Sequence, residues 1–115
     1  NDPALFTDNP AGRAFIEQDT WKLTSATARF LLCSRKLDKF ALGRRNASAG
    51  VSLTLFLAGH DRIIRNEPTA SWARSEGAPP GNVVSFREAA HTLEFEPSVS
   101  DFGDRLDDWA RCFAE

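Results

Sequence analysis

Val51-Ser52-Leu53-Thr54-Leu55-Phe56-Leu57 decides the fold class. Val51, Leu53, Leu55 and Leu57 fall on one face, and Ser52, Thr54 and Phe56 on the other. That two-residue period marks a strand packed on a core. Ala58-Gly59-His60-Asp61 follows, then Arg62-Ile63-Ile64-Arg65. A glycine in a short connection between two β-prone runs predicts a hairpin. The expected class is therefore α+β, with a small antiparallel sheet centred on 51–57 and 62–65 and helices covering its apolar face.

Upstream, Leu23, Ala26, Phe30, Cys33, Leu37 and Phe40 recur at steps of three and four. This spacing predicts a helix near 25–42, with Gly43 as its left-handed cap. Arg29, Arg35, Lys36 and Lys39 fall mostly on the opposite side. The competing reading is two strands joined across 35–38, but that connection lacks Gly, Asn and Pro. Asn9-Pro10 predicts an earlier, shorter helix that ends before Thr20, with Asn as N-cap and Pro at the first position. Trp21 and Leu23 are then expected to point at the core.

Downstream, Phe102, Leu106, Trp109 and Phe113 form a stripe at steps of four, three and four. A helix near 100–114 is expected, with Asp101 and Asp104 at its positive end and Arg111 at its negative end. Leu106 and Trp109 should be buried. The stretch 85–96 is readable two ways. Ser85 and Glu88 match a capping box, which favours a short strand at Val83 followed by a helix. Alternation of His91, Leu93 and Phe95 fits a strand instead. The connection 66–82 holds Pro68, Gly77, Pro79, Pro80 and Gly81, with room for one helical turn from Thr69 to Gly77.

With 115 residues, 42% hydrophobic and 26% charged, the chain fits one small globular domain, 1–115. No apolar run is long enough for membrane insertion. Residues 1–75 carry 11 Lys/Arg against 7 Asp/Glu, and residues 76–115 carry 3 against 9. Such a bipolar chain pairs its halves internally or with a protein partner. Nucleic acid is not expected as a partner. Phe30 and Phe40 flank the basic stretch, but their spacing puts them on the apolar helix face, and there is no Tyr to interleave.

Motifs for chemistry are sparse. There is no Gly-x-Ser-x-Gly elbow, no phosphate-binding loop and no dinucleotide fingerprint. Two His and two Cys without a Cys-x-x-Cys pair imply no metal site, and no cofactor is expected. His60-Asp61 places an acid beside a potential base, although turn polarity explains both residues. His91 reads as a structural histidine at the core edge. Glu94 and Glu96 read as a solvated face. Asn46-Ala47-Ser48 matches a glycosylation sequon.

The resulting expectation is a non-catalytic protein-binding module of inhibitor, immunity or envelope-accessory type. Trp72 is its loop anchor, beside Arg74, and Asp104, Asp107 and Asp108 form its acidic face. One alternative is a small hydrolase-like enzyme using His60 or His91. Another is a domain excised from a larger protein. Cys33 and Cys112, each beside an apolar stripe, are expected to form a disulfide worth about 4–5 kcal/mol for so long a loop. That pairing, with the Met-less start Asn1-Asp2-Pro3 read as a processed terminus, is the reason to expect a periplasmic or secreted protein.

Overall fold

The computed structural model describes residues 2–43 and 50–112. The sequon at Asn46, the basic pair Arg44 and Arg45, and Phe113 lie outside the described residues. The α+β class is observed. Helices α1 (Pro10–Gln18), α2 (Ala28–Gly43), α3 (Asn66–Ser75) and α4 (Val99–Arg111) accompany strands β1 (Leu55–Ala58) and β2 (Val83–Phe86).

The sheet is parallel, not antiparallel, and β1 pairs with β2 rather than with 62–65. The register runs from Leu55 opposite Val83 to Ala58 opposite Phe86. Two physical facts defeat the hairpin. The Asp61 carboxylate accepts from the backbone N–H groups of Ile63 and Ile64, both at 2.8 Å, and curls that run into a turn. In addition, Leu57 and Ala58 are adjacent yet both buried. A strand covered on both faces belongs to a parallel sheet, whose partners need a crossover. Helix α3 is that crossover, making a βαβ unit. Its start is pinned where Asn66 Nδ2 donates to the Ala58 carbonyl at 2.7 Å. It ends at Gly77, whose φ of 94° only glycine adopts readily.

One sheet face carries Phe56, Ala58 and Phe86. There Phe102 of α4 meets Phe56 and Phe86 edge-on, with ring centroids 5.7 and 5.9 Å apart. Ala58, Ala89 and Leu93 complete this core. The helix expected within 85–96 does not form. Ser85, its proposed cap, is committed to the sheet opposite Leu57, and only the short 3₁₀ turn Leu93–Phe95 follows.

Helix α1 starts as expected, with Asn9 Oδ1 accepting from the Ala11 N–H at 3.0 Å. Gly12 is buried rather than merely tolerated. A Cβ there would stand 2.9 Å from Thr7 Cγ2 and 3.0 Å from Phe95 Cβ.

Helix α2 forms where its stripe predicts, but it does not cover the sheet: none of its residues is buried. Phe30 is 60% exposed and Leu37 68%. Trp21 and Leu23, expected in the core, are exposed as well, and Leu106 and Trp109 are only partly covered. The radius of gyration, 16.1 Å, exceeds the roughly 13–14 Å of a compact chain this size. Because α2 is not laid over the sheet beside α4, the expected disulfide is absent: Cys33 and Cys112 are both free and exposed. The expectation of export loses its main support with that bridge. Among the described residues no helix is long and apolar enough to cross a membrane.

Candidate functional site

Parallel pairing brings the carboxyl ends of β1 and β2 side by side, the place where open α/β sheets gather ligands. Strand-like bonding continues past both ends. The Gly59 N–H donates to the Phe86 carbonyl at 2.8 Å, and the His60 N–H to the Ala89 carbonyl at 2.9 Å. Gly59 is required here, because a Cβ would collide with the Arg87 carbonyl. This close approach carries the loop after β1 against the loop after β2.

The two loops meet through Asp61 and His91. His91 Nδ1 lies 2.9 Å from Asp61 Oδ2. The Asp61 side chain is 7% exposed and that of His91 30%. Burial pushes the Asp61 carboxyl up, but the Ile64 N–H, His91 and the Ile63 N–H outweigh it and hold the group below its ordinary value. An ionised carboxylate only accepts, so Nδ1 carries the proton. That tautomer leaves the Nε2 lone pair available as a base or ligand. No second hydrogen bond engages His91 among the described residues. Beside the pair lies a cleft of about 300 Å³, walled by Leu55, Leu57, Ile64, Thr69 and Leu93.

The remaining expected site residues lie on α3 and α4, away from the pair. Trp72 sits half-buried on α3 rather than on a loop, and its buried Nε1 has no hydrogen-bond partner among the described residues. Arg74 is exposed in the last turn of α3. Asp104, Asp107 and Asp108 are exposed on α4, where Asp107 binds Arg111 at 2.7 Å. No group of three metal-binding side chains gathers among the described residues. His60, the expected neighbour of Asp61 in function, is exposed and takes no part in the pair.

The sequence offers His91 as a structural histidine or, in the hydrolase-like alternative, as a base, but not its pairing with Asp61, because that partner lies 30 positions away. The sequence signal for the site was the unbroken apolar run Leu55-Phe56-Leu57-Ala58, which fits a strand covered on both faces, hence a parallel sheet and the meeting of two carboxyl ends. Comparison with known protein families, curated proteins and solved structures returned no match to the chain.

Proposed function

We propose that the Asp61–His91 pair is the acid–base part of a hydrolytic site acting on small, largely apolar esters. The observation that carries this reading is the 2.9 Å bond between a nearly buried carboxylate and a half-exposed imidazole at the carboxyl ends of two parallel strands. The roles follow from the chemistry. Asp61 holds the imidazole in one tautomer and stabilises the imidazolium that forms. His91 Nε2 takes a proton from water as its oxygen adds to the acyl carbon, and then returns that proton to the departing alkoxide. Water and ester become acid and alcohol, so no co-reactant is needed. The apolar cleft walls suit an acyl chain. The test is turnover of p-nitrophenyl butyrate by natively expressed protein. His91→Ala should abolish it, and Asp61→Asn should lower it at least a hundredfold. Turnover unchanged in His91→Ala would overturn the reading.

A second reading, a protein-binding module, is favoured by a separate observation. Helix α2 exposes Phe30, Leu37 and Phe40 on one stripe, flanked by Arg29, Arg35, Lys36 and Lys39 against Asp38 alone. The fitting occupant is an amphipathic helix with apolar residues at steps of three and four and an acidic border. Charge-reversed Lys36→Glu should weaken such a complex while leaving the fold intact, which a pull-down with a synthetic acidic helix would measure.

A further inference from the structure

The four residues Phe6-Thr7-Asp8-Asn9 touch both loops of the Asp61–His91 pair. On the base side, the Phe6 carbonyl accepts from the Thr92 N–H at 2.8 Å, and the Phe6 ring meets the His91 ring edge-on at 5.9 Å. Thr7, fully buried, donates through Oγ1 to Glu96 Oε1 at 3.3 Å. The same Glu96 oxygen accepts from the Ala90 N–H at 3.2 Å. The residues before and after His91 are therefore both tethered to this segment, one through Glu96 and one directly. Asn9 Nδ2 adds a bond to the Phe95 carbonyl at 2.6 Å. On the acid side, both Asp8 carboxylate oxygens accept from Arg62 at 2.7 Å, and Arg62 is covalently next to Asp61. Arg13 closes the arrangement by donating from Nε to the Thr7 carbonyl and from Nη2 to Asp8.

We infer that residues 6–9 form a strap that sets the distance and angle between Asp61 and His91, with Phe6, Thr7 and Asp8 as positioning residues. Neither loop belongs to regular structure at the pair, so strand pairing alone does not fix the two side chains. One short segment bonded to both loops supplies the missing constraint, and it does so from a distant part of the chain. Small misplacements of a reacting group reduce rate steeply, which makes such a strap consequential. As a statement about rate, the inference rests on the hydrolytic reading. As a statement about geometry, it stands alone.

The experiment combines two readouts on Asp8→Asn, Asp8→Glu and Thr7→Val. The first is the His91 ring ¹⁵N spectrum at one alkaline pH, which reports how the proton is shared between Nδ1 and Nε2, and the second is p-nitrophenyl butyrate turnover. Asp8→Asn should shift the ring from Nδ1–H toward Nε2–H and lower kcat roughly tenfold with KM unchanged. Asp8→Glu should restore both. Thr7→Val should shift the ring in the same way. Wild-type ring shifts in Asp8→Asn and Thr7→Val would overturn the strap. Altered ring shifts in a protein without esterase turnover would uphold the strap and remove the hydrolytic reading. Asp8 is a surface carboxylate, so its variants keep the test available if Thr7→Val fails to fold.

Discussion

Gly59 and Arg87 lie backbone against backbone, so closely that a methyl group on Gly59 would strike the Arg87 carbonyl. This contact joins the loop that carries Asp61 to the strand end that leads to His91. Gly59→Ala must push the two segments apart. It should cost about 1–3 kcal/mol, the usual range for overpacking, in urea denaturation. It should also loosen the Asp61–His91 bond. An unchanged midpoint would mean that the loops do not approach this closely.

The carboxyl of Asp61 titrates below its ordinary value in the folded chain, and this fixes a pH dependence. A depressed carboxylate contributes stability above its unfolded value of about 3.9, and that contribution is lost as pH falls through the lower folded value. Stability should therefore decline below about pH 4. Asp61→Asn should flatten that limb, while Asn Oδ1 still accepts from Ile63 and Ile64. Parallel acid unfolding curves for the two proteins would contradict this account of Asp61.

Trp72 buries an N–H that no acceptor satisfies among the described residues. Removing an orphaned donor while keeping the ring costs little and relieves desolvation. Trp72→Phe should leave stability unchanged or raise it by up to about 1 kcal/mol. Trp72→Ala should lose about 3 kcal/mol, because it removes a large, half-buried ring. Thermal unfolding of the pair separates the two effects.

Both thiols should react in the folded, unreduced protein, since Cys33 and Cys112 are exposed and unbonded. An aromatic disulfide reagent should titrate two per chain without denaturant. None reacting would restore the bridge, and with it the case for an oxidising compartment.

Local signals placed most helices but not their packing. Asn9-Pro10 marks the start of α1, and the three-and-four stripes mark α2 and α4, because caps and periodicity act within one helix. The faces were harder. The stripe of α2 looks like a core face, yet Phe30 and Leu37 are exposed, since periodicity marks an apolar side without naming what covers it. Sheet direction was misread because Arg62-Ile63-Ile64-Arg65 has β-prone composition, while the Asp61 side chain holds it in a turn. The site followed the sheet. In sequence Asp61 stands beside His60, but its hydrogen-bond partner is His91, which parallel pairing brings near.

The tautomer of His91, read from its ring ¹⁵N shifts at alkaline pH, reports directly on the Asp61–His91 pair. The proton should sit on Nδ1, donated to Asp61, with Nε2 bare, and that preference should weaken in Asp61→Asn. A proton on Nε2 in the wild type, or the same tautomer balance in both proteins, would contradict that pairing.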